Sequence, residues 1–427
     1  MTSRNRWIRT AALGAACAVL LTACGGGSDD SESDGVVTLK VNDWGDFGLK
    51  DLITQYQKDH PNIKIVENVG DYDKQHQDLA KFLVAGSGAP DISAIDEGKV
   101  EQFRNMSDKF TNLLDLGAGE FESKYLVWKW KETLSEDGKT QIGLGTDVGG
   151  MAMCYRTDLF EKAGLPTDPD EVSALWPTWD KFIETGKKYQ TGIKDPKKNF
   201  VDAASNILNP VLSQQPTQYF AEGNKLAMDQ GPKTAWDIST KFIDEKLSAN
   251  LVAFSKDWDA AFKTGRFATL ACPAWMMGYI QGKSPEGSGK WNIAAVPGGS
   301  GNWGGSFWTI PKQGKHQKEA YEFIKWLVQP EQQIAIFKSI GNLPSQPALY
   351  EDPALLEAKS DYFSGAEIGK IFTKAAMNLK PQYFGPKNGE VRVAVEAVLT
   401  AVQQGKLTSA KGWDKAVEDA QKIADKG

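Results

Sequence analysis

The chain has 427 residues, of which 41% are hydrophobic and 24% are charged. A chain of this length exceeds what one hydrophobic core usually organises, so we expect two domains. Its 49 Lys and Arg residues against 55 Asp and Glu residues give a formal net charge of −6 at pH 7. This acidic balance argues against nucleic acid or an anionic lipid surface as the partner. No zinc-ligand spacing or HExxH motif accompanies the three histidines, His60, His76 and His316, so no metal or cofactor is predicted.

The first 23 residues have the organisation of an export signal. Three arginines precede an uncharged run over residues 11–21, which at about 11 residues is too short to cross a bilayer. The tetrad Leu-Thr-Ala-Cys that ends at Cys24 resembles the lipobox of bacterial lipoproteins, whose cysteine is lipidated and becomes the mature N-terminus. We therefore predict a signal peptide over 1–23, a lipid anchor on Cys24 and an extracytoplasmic location at the cell membrane. The alternative is an ordinary secretory signal with a chance cysteine.

The segment that follows reads GGGSDDSESDG and contains no apolar residue. Such a composition cannot form a core, so residues 24–35 are predicted to be a flexible tether. Two cysteines then remain in the body of the chain, Cys154 and Cys272. In an extracytoplasmic compartment they form either a disulfide or two buried free thiols.

The N-terminal part of the chain alternates strand-like and helix-like segments. In chain order they are a strand over 36–41, a helix with apolar residues at 49, 52, 53 and 56, a strand around 63–65, a helix over 76–83 and a short strand over 91–95. This alternation predicts a parallel sheet covered by helices. Ligands of such sheets lie beyond the carboxyl ends of the strands, which is where the sequence places Trp44, Asp46, Asp96 and Glu97.

A second block of strands and helices begins near residue 149. Strands are predicted over 151–155, 267–272, 291–296 and 306–310, and helices over 158–163, 179–189, 234–246 and 258–263. The stretch from Gly299 to Gly304 matches GxGxxG, but a β-like segment follows it where a dinucleotide site needs a helix N-terminus. We therefore predict no cofactor there.

Tryptophan is the residue type in surplus, with 14 in the chain. Most are expected in the core, but Trp44, Trp275, Trp303 and Trp308 lie beside glycine, proline or acidic residues at strand ends and in loops. An indole offers a flat, rigid apolar face, and a carboxylate accepts hydrogen bonds from hydroxyl groups. This combination matches the apolar faces and the hydroxyl rim of a sugar ring.

Five segments in the right order make the chain similar to extracellular solute-binding proteins of the family-one, maltose-binding-protein-like group, which serve ATP-driven sugar importers. They cover nearly the whole chain after the tether: residues 56–65, residues 88–92, residues 153–165 with 176–180, residues 263–275 and residues 320–333. The resemblance implies an α/β, two-lobed periplasmic-binding-protein-like fold. Each lobe would be a mainly parallel sheet flanked by helices, and hinge strands would join the lobes. The implied N-terminal lobe comprises 36–147 plus 293–328, and the implied C-terminal lobe comprises 148–292 plus 329–427.

The implied function is capture of a carbohydrate, in particular an oligosaccharide, by hinge closure, and its delivery to the membrane permease of an ABC importer by a monomer that is not an enzyme. Trp275 matches a position that often holds a sugar-stacking tryptophan, and Asp96 matches a cleft carboxylate. From their places at strand ends and glycine turns, the predicted ligand-binding residues are Trp44, Asp46, Asp96, Glu97, Asp147, Trp275, Trp303, Gly304, Gly305 and Tyr383.

The chain departs from the family at the start of its last long helix, where the sugar binders often have an aromatic residue. Here the sequence reads Asn388-Gly389-Glu390-Val391-Arg392, and Tyr383 or Phe384 would have to substitute. Three alternatives stay open: a binding protein for a non-sugar solute such as a polyol, a secreted glycosidase that uses paired carboxylates, and an adhesive surface lipoprotein.

Overall fold

The computed structural model describes residues 35–385 and 387–426, so the predicted signal peptide, Cys24 and the tether up to residue 34 lie outside the described residues. Two larger sheets and two short ribbons contain the strands. In chain order the strands are β1 Val37–Trp44, β2 Ile63–Gly70, β3 Ile92–Asp96, β4 Gly143–Gly145, β5 Asp147–Val148, β6 Met151–Arg156, β7 Asn199–Val201, β8 Phe220–Ala221, β9 Lys225–Leu226, β10 Phe267–Pro273, β11 Trp291–Ala295, β12 Ser306–Thr309 and β13 Leu343–Pro344.

Helices cover the faces of both larger sheets. The α-helices are α1 Leu49–Asp59, α2 Tyr72–Ala85, α3 Glu97–Arg104, α4 Val127–Glu132, α5 Thr157–Lys162, α6 Pro169–Leu175, α7 Trp179–Ile193, α8 Ser205–Ser213, α9 Gly231–Asp244, α10 Lys256–Thr264, α11 Met276–Lys283, α12 Gln317–Leu327, α13 Pro330–Ile340, α14 Pro353–Leu356, α15 Ile368–Met377, α16 Asn388–Gln403 and α17 Ser409–Ala424. Short 3-10 turns occupy Ser107–Lys109, Leu113–Leu116, Ala118–Lys124, Pro285–Gly287 and Pro347–Glu351. Within the part of the chain just defined, no helix is long and apolar enough to cross a membrane.

The first lobe is built on a five-stranded sheet of order β2-β1-β3-β12-β4. Strands β1, β2 and β3 run parallel, as the alternation of strands and helices predicts. Strand β12 is antiparallel to both β3 and β4. It returns from the other half of the chain and enters the sheet where β3 ends, with Ser306 opposite Asp96, so it must run back along β3.

The second lobe is built on a four-stranded sheet of order β11-β6-β10-β7, in which only β10 and β7 pair in parallel. The prediction of a mainly parallel sheet is wrong for this lobe. Strand β6 leaves the first lobe and enters the second sheet, whereas β10 and β11 run toward the first lobe, so both pair antiparallel with β6. Side chains of β6 alternate between two apolar clusters, which explains why the whole strand is buried and reads as an apolar run.

The chain crosses between the sheets at the places that join β4 to β6 and β11 to β12. All five residues of β11 pair with β6, so the predicted boundary at residue 293 moves to the end of β11. Helix α13 contacts both lobes, because Ile336 and Ile340 pack in the core of the first and Phe337 packs in the core of the second. The rest of the domain division stays a prediction.

A disulfide joins Cys154 on β6 to Cys272 on β10, with the Cα atoms 5.4 Å apart. The two cysteines are separated by 118 residues in sequence, and both are fully buried. Such a bond limits the conformations of the unfolded chain, by about 5 kcal/mol for a loop of this length in the chain-entropy treatment.

Reduction should therefore lower the stability of the second lobe. We expect urea unfolding in the presence of a phosphine reductant to give a free energy lower by as much as about 5 kcal/mol than unfolding without it. The matched control is the double variant C154A/C272A, whose unfolding should not respond to the reductant. An equal response of both proteins would mean that the reductant does not act through this bond.

Candidate binding site

A tryptophan of the second lobe and a carboxylate of the first lobe face the same point between the two sheets. A side chain placed on Gly304 would meet Asp96 Oδ2 and Trp275 Nε1, each 3.6 Å from its Cβ. Asp96 ends β3, and Trp275 lies two residues after the end of β10 and directly before α11. Gly304 has a positive φ of 76°, which suits glycine and lets both groups approach the loop.

An aromatic cluster surrounds the first-lobe carboxylate. Trp44, the last residue of β1, lies edge-on to Tyr72 at 5.3 Å and 4.6 Å from His76, measured between ring centroids. Tyr72 donates its hydroxyl hydrogen to Asp96 Oδ1 at 3.0 Å. Burial lowers the pKa of His76, whose Nε2 accepts the Asp96 amide hydrogen while Nδ1 lies 2.8 Å from the Tyr72 carbonyl oxygen. The neutral ring therefore fixes both Asp96 and Tyr72.

Trp275 is oriented by the loop that carries Gly304. Its Nε1–H donates to the carbonyl oxygen of Trp303 at 2.9 Å, and the two indole rings lie edge to face at 5.9 Å. The loop itself is held at Gly149, whose carbonyl accepts from the Trp303 amide and whose amide donates to the Gly304 carbonyl. Trp275 and Trp303 both remain partly exposed. The Trp275 ring is thus fixed by a hydrogen bond, and both rings are partly accessible.

Glu97, the first residue of α3, ties the first lobe to the same loop. Its amide donates to the Gly305 carbonyl at 2.9 Å, and its carboxylate accepts from Asn302 Nδ2 at 2.8 and 3.0 Å. The backbone amide of Asn302 in turn donates to Ser213 Oγ in α8 of the second lobe. Asn302 thus connects groups on both lobes.

Behind the loop, a buried lysine lies among carboxylates. Lys129 of α4 is fully buried, with its Nζ 3.6 Å from Glu97 Oε2, 4.0 Å from Glu132 Oε2 and 3.8 Å from the ring centre of Phe307. A Cβ on Gly305 would lie 2.8 Å from that Nζ and 2.7 Å from the Asp147 carbonyl oxygen. Gly305 is therefore needed for packing against the lysine. We call the group formed by Lys129, Glu97, Glu132 and Asp147 the buried charge cluster.

Burial raises the pKa of every acid in the buried charge cluster. It raises the pKa of Glu97 to about 7, although Lys129 and the Asn302 hydrogen bond act in the opposite direction. It also raises the pKa of Asp147, against the effects of Lys129 and of hydrogen bonds from Thr146 and the Ser306 amide, and that of Glu132. These acids face protein groups, so Glu97 and Asp147 hold the loop.

The second lobe meets α3 through its last long helix pair. A Cβ on Gly389 of α16 would lie 2.7 Å from the Gly98 carbonyl oxygen, so the two backbones are in contact where the family often has an aromatic residue. Arg392, one turn further, has a raised pKa, chiefly because of Glu396, with smaller contributions from Tyr72 and Asp96. A cation of the second lobe thus acts on the carboxylate and phenol of the first lobe.

Two predicted binding residues lie apart from this group. Asp46 is exposed, and its carboxylate accepts from the Gly48 amide at 2.8 Å ahead of α1. Tyr383 packs against the core of the second lobe and hydrogen-bonds Asn224. The structure gives each of them a local role. Trp308 is a core residue, 2% exposed.

Sequence reasoning missed four residues of the site: Tyr72, Lys129, Asn302 and Arg392. Asn302 was within the glycine-rich stretch, and Lys129 lies between two tryptophans on a short helix, a sequence context that hints at burial. Tyr72 and Arg392 carry no local signal, because their importance comes from Asp96, which Tyr72 contacts within the first lobe and on which Arg392 acts from the second. Among the residues that the structure describes, no group of three or more His, Cys, Asp or Glu could hold a metal ion.

The protein thus has a two-lobed fold in which Asp96 and Trp275 converge between the lobes. Residues 51–363 match the family described as bacterial extracellular solute-binding protein. The chain therefore belongs to that family. It is 27% identical over 353 residues to the arabinooligosaccharide-binding protein of Bacillus subtilis (strain 168), which covers 78% of this chain and 79% of that protein.

Two solved structures are similar over almost the entire described chain. A crystal structure of an extracellular solute-binding protein of family 1 is 37% identical, with a TM-score of 0.80 over 91% of this chain and 100% of the other. The ABC transporter associated binding protein from B. animalis subsp. lactis Bl-04, in complex with β-1,6-galactobiose, is 25% identical, with a TM-score of 0.77 over 91% and 98%. Both support the two-lobed architecture.

Replacing the buried lysine should destabilise the protein. In Lys129→Met the buried carboxylates lose their cation, and breaking a buried ion pair in this way costs about 3–5 kcal/mol. The free energy of unfolding in urea measures this loss. The matched control is Lys131→Met on the same helix, because Lys131 is exposed and its removal should change the free energy by no more than about 0.5 kcal/mol. Equal stability of the two variants would contradict the importance of the cluster.

Stability should also depend on pH through Glu97. Its folded pKa of about 7 lies above the ordinary value of 4.5. Between pH 4.5 and pH 7 the native protein therefore keeps a proton that the unfolded chain has released. The free energy of unfolding should consequently fall as the pH rises from 4.5 to 7.

Urea unfolding at pH 5 and pH 7.5 measures this fall, and Glu97→Gln, which cannot ionise, should show a smaller one. Asp43, whose pKa burial raises to about 8, acts in the same direction, so part of the fall remains in the variant. A fall of the same size in both proteins would exclude Glu97 as its source.

Proposed function

We propose that this protein is an extracytoplasmic lipoprotein that captures a carbohydrate between its lobes and delivers it to the permease of an ABC importer. The observation that carries the proposal is the convergence of the Trp275 indole and the Asp96 carboxylate on Gly304, between two lobes of this family's fold. Trp303 lies edge to face with Trp275, and Trp44 packs on Tyr72, which hydrogen-bonds Asp96. The arabinooligosaccharide and β-1,6-galactobiose bound by relatives favour an oligosaccharide.

The chemistry of the site is suited to binding without covalent change. Exchanging hydroxyl–water for hydroxyl–protein hydrogen bonds is nearly neutral in free energy. The favourable surplus then comes from the apolar faces of the sugar on indole rings and from released water. The acids Glu97 and Asp147 are engaged by Asn302, Thr146 and the Ser306 amide, which leaves them poorly placed as the catalytic pair of a glycosidase. We therefore propose a binding protein that is not an enzyme.

Closure of the lobes would link binding to transport. Periplasmic binding proteins close around their ligands by hinge bending, and only differential affinity for the closed state can drive that change. In this chain the hinge would comprise the connections from β4 to β6 and from β11 to β12, and the contact of Gly98 with Gly389 would form on closure. The closed monomer would present both lobes to the permease. The lipid on Cys24 would keep it at the cell membrane.

A thermal-shift screen tests the ligand class. The panel comprises arabinose, arabinotriose, galactose, β-1,6-galactobiose, maltose and the polyol sorbitol. A ligand at 100 times its Kd should add about 2.7 kcal/mol to the free energy of unfolding. Stabilisation by sorbitol alone would mean that the ligand is a polyol and not a carbohydrate. Release of monosaccharide from an oligosaccharide of the panel would identify a glycosidase.

Trp275 should supply much of the affinity. Trp275→Ala removes the indole face and the hydrogen bond to the Trp303 carbonyl, and should weaken binding at least tenfold, which corresponds to about 1.4 kcal/mol. Titration calorimetry with the best ligand of the panel measures the change. Trp275→Phe, which keeps a ring, should lose less. The control Trp413→Ala removes a partly buried tryptophan on α17, beside Trp236, and should leave the affinity unchanged. Wild-type affinity in Trp275→Ala would contradict the proposed site.

A further inference from the structure

Phe254 is an exposed aromatic residue in an unfavourable backbone conformation, next to the proposed site. Its φ is +62°, a value that bulky residues rarely adopt, and its side chain is 52% exposed. It occupies the third position of a turn that the Ser255 amide closes on the Val252 carbonyl, where glycine or asparagine is usual. A strained, exposed aromatic residue next to a binding cleft is a candidate for function.

The Phe254 ring continues the line of indoles. It lies 6.4 Å from the Trp275 ring at an interplanar angle of 24°, so the two faces are nearly parallel and offset. Trp275 in turn lies 5.9 Å from Trp303 at the loop. The three rings thus form a row that leads from the loop between the lobes outward to Phe254.

The outer ring is held rigidly from behind. Trp258, which is fully buried, lies 5.1 Å from it, and Tyr279 lies edge-on at 5.5 Å. Trp258 Nε1–H donates to Asp202 Oδ2, and the Tyr279 hydroxyl donates to Asp259 Oδ1. Both supporting rings are therefore fixed by hydrogen bonds, which gives Phe254 a pre-organised face at little further entropic cost.

We propose that Phe254 forms an outer subsite that takes a second or third sugar ring of an oligosaccharide whose first ring lies at Trp275. This inference rests on the proposed function and deepens it. A monosaccharide at Trp275 does not extend to Phe254, whereas a longer chain stacks on both rings. Phe254 thus makes the site selective for chain length.

The test compares short and long ligands on the purified protein by titration calorimetry. The pairs are arabinose with arabinotriose, and galactose with β-1,6-galactobiose. Phe254→Ala should weaken the longer ligand of the binding pair at least fivefold and the monosaccharide less than twofold. Phe254→Leu keeps apolar packing on Trp258 but lacks the aromatic face, and should show the same selective loss, whereas Phe254→Tyr should bind both ligands within twofold of wild type.

Val252→Ala is the matched control, because Val252 lies in the same turn, is 49% exposed and carries no ring. It should bind both ligands like wild type, and melting curves of every variant establish that it is folded.

Each further outcome identifies what fails. The subsite would be overturned if Phe254→Ala and Phe254→Leu lost equal affinity for short and long ligands. It would also be overturned if neither variant lost affinity for any ligand. The carbohydrate function would stand in both cases. Binding of the monosaccharides alone by the wild-type protein would likewise overturn the subsite and leave the carbohydrate function in place. If wild type binds no carbohydrate of the panel, the proposed function itself fails and the subsite with it.

Discussion

The buried charge cluster around Lys129 is the constraint on which the geometry of the site depends. An ammonium group withdrawn from water needs polar partners, and the carboxyl oxygens of Glu97 and Glu132 lie 3.6 and 4.0 Å from it, with the Phe307 ring at 3.8 Å. Gly305 must lack a side chain to let the lysine in. Because Glu97 also accepts from Asn302 and donates its amide to Gly305, the cluster fixes the path of the loop over residues 302–306.

That loop then sets the position of the aromatic groups. Trp275 is oriented by the Trp303 carbonyl, and Asp96 approaches the same loop at Gly304. The backbone carbonyls of residues 303–306 thus accept hydrogen bonds within the protein, while Asp96 and Trp275 converge on Gly304 between the lobes. A cavity of about 510 Å³ lies between α1 and α12 on the outside of the first lobe. Residues between the lobes contact one another directly, which is the arrangement expected of a closed form.

Most elements could be predicted from the sequence because their signals are local. Period-3.6 apolar spacing located α1, α2 and α7 to within a few residues, alternation located β2, and an apolar run located β6. Sheet pairing could not be predicted in the same way. Whether β10 runs parallel or antiparallel to β6 depends on which end of each strand faces the other lobe, and that is set by long-range connections. The boundary at residue 293 changes for the same reason, since the lobe to which the strand over 291–296 belongs is decided by its pairing with β6.

From the sequence by itself come the prediction of an export signal with its cysteine, the two-domain size, the alternating elements and, through the family resemblance, the pairing of Asp96 with Trp275. These follow from composition and from motifs carried by neighbouring residues. Only the tertiary structure decided that Glu97, Asp147 and Gly305 hold a buried lysine, that Asp46 and Tyr383 lie apart from the group, and that Phe254 continues the row of rings. Burial, charge pairing and ring stacking between residues far apart in sequence exist only once the chain has folded.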